Sequence, residues 1–254
     1  MIRVDALDLP GIRHAFLTRE GGVSAGIFAS LNCSLGSGDE IGKVEENRRR
    51  AVAMLGPVPV PLVTCYQVHG AVVAPVVQPW PHADRPRADA MVTRLAGVAL
   101  GILTADCAPV LFADPAARIV AAAHAGWRGA LSGVLAATVA AMQKEGAEPQ
   151  RMLAAIGPCI GRSSYEVGPE FAAPFLAESP DNAAFFDPAP RRDHFLFDLG
   201  GYVRRKLADL GIGRIAAAGG DTAAEPQRFF SYRRSCLAGE KQFGHMLSLI
   251  CLAA

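Results

Sequence analysis

The fold is decided by the stretch between residues 98 and 129, which reads VALGILTADCAPVLFADPAARIVAAAHAGWRG. It contains three short apolar runs, at 98–103, 110–113 and 119–123, separated by turns that contain aspartate and proline. Continuous apolar runs of this length are typical of strands that are covered on both faces. The stretch therefore predicts three buried strands, the last of which runs into His124.

Further strands and helices are predicted on both sides of this stretch. The other predicted strands cover residues 12–18, 62–68, 71–77, 152–156, 214–218 and 246–252. The strands at 62–68 and 71–77 are predicted to pair through a turn at His69-Gly70. Predicted helices cover 43–55, 127–144 with Gly146 as its stop, and the residues after the capping residue Asp198.

This order of elements favours one fold class. Strands and helices mix without strict βαβ alternation, which favours an α+β fold over a doubly wound one. The common nucleotide-binding and hydrolase motifs, G-x-G-x-x-G, G-x-x-x-x-G-K-[ST] and G-x-S-x-G, are absent from the sequence. There is no repeat of fixed period and no flexible linker. We therefore expect a single α+β domain over residues 1–254, with mixed β-sheets flanked by helices in α/β/β/α-like layers.

The composition excludes several classes of protein. Of the 254 residues, 51% are hydrophobic and 19% are charged, which excludes a disordered chain. Lys and Arg (25) nearly balance Asp and Glu (24), so we expect no nucleic-acid partner and no membrane partner. The uncharged stretch 51–83 contains six prolines, which would break a spanning helix.

The cysteines and the N-terminus predict a cellular compartment. The six cysteines form no C-x-x-C pair and read as reduced thiols, most of them small buried hydrophobes. The first five residues carry charges and lead into no apolar signal segment. We therefore expect a cytoplasmic protein.

Three residues with metal-ligating side chains fall where strands end. His69 lies in the predicted turn, Cys107 follows the first apolar run, and His124 lies between a strand and a helix. Side chains at strand ends and in loops converge on clefts. Two imidazoles and one thiolate suit zinc, and three protein ligands leave a fourth position open, as in catalytic sites. The spacing alone is also compatible with a buried cysteine and two hydrogen-bonded histidines.

Seven blocks of sequence occur in an order that resembles a known family. They are Gln67-Val68-His69-Gly70, Ala88-Asp89-Ala90, Thr104-Ala105-Asp106-Cys107-Ala108-Pro109-Val110, His124-Ala125-Gly126-Trp127-Arg128-Gly129, Ile156-Gly157-Pro158-Cys159-Ile160-Gly161, Tyr165-Glu166-Val167-Gly168 and Phe229-Phe230-Ser231-Tyr232-Arg233-Arg234. Over almost its whole length the chain resembles the laccase-domain, or polyphenol-oxidase-like, family. Its members are regarded mainly as bacterial purine nucleoside phosphorylases with accompanying adenosine deaminase activity, and they have also been described as peptidoglycan editing factors.

The resemblance implies a function and a set of site residues. It implies a zinc-dependent enzyme that converts adenosine, inosine or methylthioadenosine and phosphate to the free base and a sugar 1-phosphate, and that also deaminates adenosine. The family's zinc ligands fall on His69, Cys107 and His124, the trio chosen above on chemical grounds, and these are the expected catalytic residues. The expected partners are the purine nucleoside and phosphate, and the expected oligomeric state is a monomer.

Four residues are candidates for binding substrate. Arg128 lies at the start of the predicted helix, where its guanidinium and free backbone N–H groups suit phosphate. Arg48 and Arg233 are further candidates for phosphate, and Gln67 for the base or the ribose. For each arginine the alternative is a salt bridge without a role in binding, and for Gln67 it is a place at a strand edge.

Other polar and aromatic residues of the blocks have two readings each. Asp106 suits either an orienting partner of a ligand histidine or the carboxylate of a turn. Trp127 suits either stacking on a purine or packing in the core. Ser163 and Glu166 fit a helix capping box, which gives Glu166 no catalytic role.

Two positions depart from the family pattern. Thr222-Ala223 stands where members usually carry Cys-Thr, and His245 stands where they usually carry arginine. Neither position is a proposed ligand. The second departure removes a cation, so we expect it to affect substrate preference rather than the metal site.

Three other functions are compatible with the same residues. Copper outcompetes zinc at nitrogen and sulfur ligands, so Cu²⁺ on the trio would make a single-copper phenol oxidase, whereas six histidines are too few for a four-copper laccase. A metal-free cysteine hydrolase would use Cys107 as nucleophile and His124 or His69 as base, for example as an amidase in peptidoglycan precursor editing. A zinc-stabilised binding module would need a fourth protein ligand.

Overall fold

The computed structural model describes residues 1–253, and helices and strands are distributed over this whole length. The strands are β1 (Ile12–Phe16), β2 (Leu62–Thr64), β3 (Val73–Pro75), β4 (Ala90–Thr93), β5 (Ala99–Thr104), β6 (Ala108–Asp114), β7 (Ile119–Ala125), β8 (Leu153–Ile156), β9 (Glu166–Val167), β10 (Phe186–Pro188), β11 (Phe195–Phe197), β12 (Arg214–Ala217) and β13 (Met246–Leu252). The helices are α1 (Ile41–Ala53), α2 (Trp127–Leu131), α3 (Val134–Lys144), α4 (Pro169–Glu178), α5 (Leu199–Asp209) and α6 (Tyr232–Leu237). The three predicted central strands are confirmed as β5, β6 and β7.

Two large mixed sheets form the centre of the fold. One has four strands in the order β1-β13-β5-β2, and the other has six in the order β12-β8-β6-β7-β4-β3. Each contains parallel and antiparallel pairs: β2 runs parallel to β5 and β1 antiparallel to β13, while β12 runs parallel to β8 and β6 antiparallel to β8. A smaller sheet has the order β10-β11-β9.

The alternation of side chains along β6 shows how the layers are stacked. All seven residues of β6 are buried, as expected for a strand covered on both faces. Leu111 points between the two large sheets and shares a core with Leu100 and Ile250. Phe112 points the other way and shares a core with Val139 of α3. The outer face of the four-stranded sheet packs against α1, so the layers are helix, sheet, sheet and helix. The predicted α+β class with layered mixed sheets is confirmed.

The predicted pairing of residues 62–68 with 71–77 is wrong. β2 pairs with β5 in the four-stranded sheet, whereas β3 pairs with β4 in the six-stranded sheet. The chain between them crosses from one sheet to the other. At the crossing, the Gln67 side chain bonds to the backbone of Leu103, and backbone N–H groups around His69 donate to Asp89. Hydrogen bonds of side chains therefore hold the chain at the crossing, where the backbone hydrogen bonds of a hairpin were predicted. The alternation of apolar residues does not indicate such side-chain bonds.

The predicted long helix over 127–144 is two helices. α2 ends at Leu131 and α3 begins at Val134. Gly133 lies between them with φ of 89°, a left-handed conformation that glycine adopts without strain. The Ala-rich sequence is compatible with one continuous helix, so it did not indicate this break.

The predicted capping box at Ser163 and Glu166 is also wrong. Residues Arg162–Ser164 form a single 3₁₀ turn, and Glu166 begins β9, where it pairs with Leu196. The prediction after Asp198 is confirmed, because its carboxylate accepts the Gly201 N–H at 2.8 Å and so caps α5. Within residues 1–253, every helix is too short or too polar to cross a bilayer.

Candidate metal centre and its cleft

His69, Cys107 and His124 meet at one end of the large sheets. Their metal-ligating atoms all lie within 4.8 Å of one another, and the two imidazole rings are 4.8 Å apart between centroids. The three residues reach this point from different elements: the crossing after β2, the β5–β6 loop and strand β7. Within residues 1–253 they form the one group of three or more His, Cys, Asp or Glu side chains close enough to share an ion. The sequence prediction that these three residues converge is confirmed.

The backbone around the trio is held in unusual conformations. His69 has φ of 61° and Asp106, which precedes Cys107, has φ of 95°. Residues other than glycine rarely adopt such values, and at functional sites the surrounding structure holds them there. The Asp106 carboxylate accepts hydrogen bonds from the Thr222 hydroxyl at 2.7 Å and from the Arg233 N–H at 2.6 Å. Within residues 1–253 this carboxylate therefore bonds to neither histidine of the trio, and it ties the loop that carries Cys107 to residues 222 and 233.

Asp89 connects both ligand histidines. Its fully buried carboxylate accepts from Nδ1 of His124 at 2.9 Å and from the backbone N–H of His69 at 2.9 Å and of Gly70 at 2.7 Å. A carboxylate at Nδ1 fixes the tautomer, so Nε2 of His124 is the nitrogen free to bind an ion. Asp89 lies in one of the seven blocks of sequence described above, but no role was predicted for it. The sequence feature that could have identified Asp89 is a carboxylate between two alanines before an apolar strand. A charge at such a buried position needs hydrogen-bond partners.

Gly126 makes room for the trio. A Cβ atom at this position would lie 2.7 Å from the Sγ of Cys107 and 3.0 Å from Cδ2 of His69. Carbon and sulfur atoms do not approach so closely without displacement. Glycine at this position therefore allows the thiol and the imidazole to come together, which sequence reasoning did not anticipate.

The charges of the trio favour a thiolate beside an imidazolium. Burial by itself would raise the pKa of Cys107, but the charges and hydrogen bonds of His124 and His69 outweigh burial and lower that pKa to about 6. Burial by itself would lower the pKa of His124, but the Cys107 thiolate and the Asp89 carboxylate outweigh it and raise that pKa to about 9. A thiolate is the form of cysteine that binds metals and attacks electrophiles.

The donor set fits a tetrahedral divalent ion. Zn–N bonds of about 2.0–2.1 Å and Zn–S bonds of about 2.3 Å place neighbouring ligand atoms roughly 3.3–3.7 Å apart. The observed spread of up to 4.8 Å closes to that range with small side-chain movements. The Asp89 bond to His124 supplies the outer partner that metal-bound histidines usually have. The residues present therefore fit such an ion, which His69, Cys107 and His124 would hold.

A cleft of about 960 Å³ opens beside the trio, and the trio lies in its wall. Three of the four predicted substrate-binding residues, Gln67, Arg128 and Arg233, also line the cleft. Arg48 lies behind the wall, where its Nη2 donates to the Thr64 hydroxyl at 3.1 Å. Because the Gln67 amide donates to and accepts from the Leu103 backbone at 2.7 and 2.9 Å, its polar atoms already have partners.

The aromatic residues of the wall support the arginines. The Arg128 guanidinium lies 5.0 Å from the centre of the Trp127 ring, and the Arg233 guanidinium lies 5.3 Å from that of Tyr165. Trp127 also packs on Phe171, with ring centroids 4.7 Å apart, so it contacts the hydrophobic core and also lines the cleft. The helix expected to present phosphate-binding N–H groups near Arg128 is only the five-residue α2. One turn of helix contributes little dipole, so any anion binding there would depend on Arg128 itself.

Two further histidines also line the cleft. His82 and His245 are in its wall, and each has a buried Nδ1 with no hydrogen-bond partner in residues 1–253. Burial first, and then neighbouring positive charge, lowers the pKa of each to about 4. Nothing in the sequence indicated the position of His82, whereas His245 was expected to affect substrate preference because it stands where the family usually carries arginine. His14 and His194 are elsewhere, the first accepting the Val4 N–H at 2.9 Å.

All six cysteines, which lie within the described residues, are free thiols. Cys33, Cys65, Cys159 and Cys251 are buried, as predicted for small hydrophobic residues. Cys236 is exposed. Cys107 is the cysteine that belongs to the group of side chains able to hold a metal ion.

Several known proteins are similar to this chain in sequence and in fold. The model of a family described as multi-copper polyphenol oxidoreductase laccase matches residues 13–253. The chain is 41% identical to a purine nucleoside phosphorylase of Streptomyces coelicolor over 90% of this chain and 93% of that one. It is 40% identical to the purine nucleoside phosphorylase YfiH of Escherichia coli over 95% of this chain and 94% of that one. A crystal structure of a Neisseria meningitidis protein superimposes with a TM-score of 0.89 at 35% identity, covering 100% of this chain and 99% of that one.

Proposed function

The chain belongs to the multi-copper polyphenol oxidoreductase laccase family, and from that premise we propose that it is a metal-dependent purine nucleoside phosphorylase. The proposed reaction uses phosphate to split adenosine, inosine or methylthioadenosine into the free base and a sugar 1-phosphate, and deamination of adenosine accompanies it. One observation carries the proposal: His69, Cys107 and His124 converge in the wall of a cleft whose volume, about 960 Å³, accommodates a nucleoside. The names of relatives about 40% identical support it.

The proposed ion is Zn²⁺, held by the three catalytic residues His69, Cys107 and His124. When bound, zinc supplies Lewis-acid stabilisation of developing negative charge. The same three donors also suit Cu²⁺. Several coppers, as in the family's description, would need more than the single three-residue group that residues 1–253 hold.

The proposed roles of the other residues follow from the bonds that change. In phosphorolysis the C1′–N9 bond breaks, the base leaves with its electron pair and takes up the proton of hydrogen phosphate, and a phosphate oxygen forms the new bond to C1′. The sugar carries positive charge as the bond breaks, and phosphate must lie beside C1′. Arg128 and Arg233, held over Trp127 and Tyr165, are suited to bind and orient that phosphate. Burial raises the pKa of Tyr165, so its phenol is neutral and able to donate a hydrogen bond to the nucleoside.

Asp89 acts as a positioning residue in this proposal. It holds the ring of His124 and the backbone of His69 at the same time. Errors of less than one ångström in such a group are enough to reduce catalysis. Asp106 has the same role for the loop that carries Cys107.

We propose one catalytic domain over residues 1–254, which the family match and the shared core support, and we propose that it acts as a monomer on small molecules. The match runs from residue 13 to 253, and both large sheets contribute to one core. Its six free thiols fit an enzyme of the cytoplasm.

A second function is favoured by one specific observation. The pKa of Cys107 is lowered to about 6 beside two histidines, which also suits the nucleophile of a metal-free cysteine hydrolase. Such an enzyme would act as an amidase on acylated substrates, and it would not need a metal.

The experiment incubates metal-replete protein with adenosine, inosine and methylthioadenosine, with and without phosphate, and separates the products by chromatography. Free base that forms only when phosphate is present supports phosphorolysis, and inosine formed from adenosine supports deamination. If no nucleoside is converted, the proposed function is wrong and the hydrolase becomes the better account.

A further inference from the structure

One wall of the cleft consists of two loops that are remote from each other in the sequence. Ser34, Leu35 and Gly36 line the cleft from the loop before α1, and Phe243 and His245 line it from the loop before β13. The hydrogen bonds that join these loops involve none of the three proposed metal ligands. The position of this wall therefore depends on other residues.

Asn32 joins the two loops from behind the wall. It is completely buried, and its Oδ1 accepts a backbone N–H group from each loop, that of Ser34 at 3.2 Å and that of His245 at 3.0 Å. The carbonyl oxygen of His245 accepts the Cys33 N–H at 3.1 Å, which adds a second bond between the same loops. One amide thus fixes the separation of two segments that are 213 positions apart in the chain.

An amide is the side chain that fits the position of Asn32. Its Nδ2 donates to the Ser37 hydroxyl at 2.8 Å and to the Asp39 carboxylate at 3.0 Å, while its Oδ1 accepts the two N–H groups. An ionised carboxylate has no hydrogen to donate to Asp39, and an apolar side chain would leave two N–H groups without an acceptor. The hydrogen-bonding groups of Asn32 are therefore fully used within the protein.

The rings on this side of the cleft make its position important for binding. The His245 and Phe243 rings are 4.8 Å apart between centroids, at an interplanar angle of 33°, and the Phe243 and Tyr232 rings are 5.1 Å apart. All three rings line the cleft. Dispersion contacts between a ring and a ligand are largely lost over gaps of about 0.5–1 Å. A small shift of the loop that carries Phe243 and His245 therefore weakens binding of a ligand in the cleft.

We infer that Asn32 is a positioning residue for substrate binding, because it holds residues 34–36 and 243–245 together as one wall of the cleft. It lies outside the cleft wall itself and acts through the loop of His245. The identity of the substrate as a purine nucleoside rests on the proposed function, whereas the joining of the loops does not. Since this wall contains none of the proposed catalytic residues, its displacement weakens binding of substrate and transition state alike, which raises KM and leaves kcat nearly unchanged.

The chain offers a matched control. Asn182 is also buried outside the cleft wall, and its Nδ2 donates to the Phe175 carbonyl oxygen at 2.9 Å and to the Glu178 carboxylate at 3.0 Å. Asn32→Asp and Asn182→Asp therefore each place a carboxylate where a buried amide bonded to another carboxylate. Ser37→Ala is a milder second variant, since it removes the hydroxyl that accepts from Asn32.

The test measures steady-state kinetics with inosine and phosphate, metal content, and hydrogen exchange of backbone amides by mass spectrometry, on metal-loaded wild-type and variant proteins. We expect KM for inosine to rise about tenfold in Asn32→Asp, as for the loss of one hydrogen bond to a charged group, with kcat within about twofold of wild type. A smaller rise of KM is expected in Ser37→Ala, and none in Asn182→Asp. Exchange in residues 34–37 and 243–245 is expected to accelerate in the Asn32 and Ser37 variants alone, with metal content unchanged in all three.

Unfolding curves show whether Asn32→Asp has folded, and Ser37→Ala decides the question if it has not. A wild-type KM in the folded Asn32 and Ser37 variants, or an equal rise of KM in Asn182→Asp, would overturn the inference. If wild-type protein converts no nucleoside, the proposed function fails and hydrogen exchange decides the inference alone. Faster exchange of both loops would then support the role of Asn32 and unchanged exchange would reject it, so the two failures are distinguishable.

Discussion

The imidazole of His124 donates a hydrogen bond from Nδ1 to the buried carboxylate of Asp89 across 2.9 Å. The same carboxylate accepts the backbone N–H groups of Val68, His69 and Gly70, so one side chain positions two of the three proposed ligands. Hydrogen bonds from His124 and Gly70 outweigh the effect of burial and lower the pKa of Asp89, which keeps it charged. This pair is the basis of the first prediction.

Asp89→Asn is expected to weaken metal binding about ten- to a hundredfold, because an amide keeps the shape but loses the charge that fixes His124. Competition with a chromophoric chelator measures the affinity. Asp114→Asn is the matched control, since Asp114 is equally buried and accepts backbone N–H groups in a turn that contains no proposed ligand. Equal affinity of the Asp89 variant and wild-type protein would remove Asp89 from the metal site.

Gly126→Ala is expected to reduce metal affinity and activity together, because the added Cβ would lie 2.7 Å from the Sγ of Cys107. Metal content after dialysis and nucleoside turnover are the measurements. Gly42→Ala in α1 is the control, because a Cβ there has no atom within 4 Å. That helical substitution is expected to leave the metal bound and to stabilise the protein by about 0.5–1 kcal/mol. Full metal loading of the Gly126 variant would contradict the close approach.

Alkylation of Cys107 is expected to become faster when a chelator removes the metal, because the ion no longer occupies the thiolate. The experiment uses iodoacetamide on Cys236→Ser protein, since Cys236 is the exposed thiol that would otherwise react. Peptide mass spectrometry follows Cys107. An alkylation rate of Cys107 that is the same with and without the chelator would favour the metal-free cysteine hydrolase.

Leu111→Ala is expected to reduce the free energy of unfolding by about 2–5 kcal/mol, since Leu111 is fully buried between the two large sheets. Urea unfolding measures the change. Leu237→Ala removes the same atoms from a side chain that is 82% exposed and is expected to change stability by less than about 0.5 kcal/mol. Similar effects at both positions would argue against the layered core.

The central strands could be predicted from sequence because their apolar runs are long and continuous. β6 and β7 are buried on both faces, and the composition of residues 110–113 and 119–123 reflects that burial directly. The crossing at His69 could not be predicted in this way. Its conformation depends on Asp89 and on the Leu103 backbone, which belong to remote parts of the sequence in or beside the two different large sheets.

The convergence of His69, Cys107 and His124 was predictable because these residues belong to a few chemically distinctive types at strand ends. The rest of the site was not. Asp89 and Gly126 are common residue types whose contacts with the trio depend on distances of a few ångströms between remote segments. The predicted helix at Arg128 shows the same limit, because one glycine with φ of 89° divides it.

The central claim is that two imidazoles and one thiolate hold an ion on which activity depends. The most direct measurement determines metal content by mass spectrometry and phosphate-dependent release of purine base on the same preparation of wild-type and Cys107→Ala protein. We predict about one divalent ion per chain in the wild type, and loss of both the ion and base release in the variant. Full base release from protein that contains no transition metal would contradict the account.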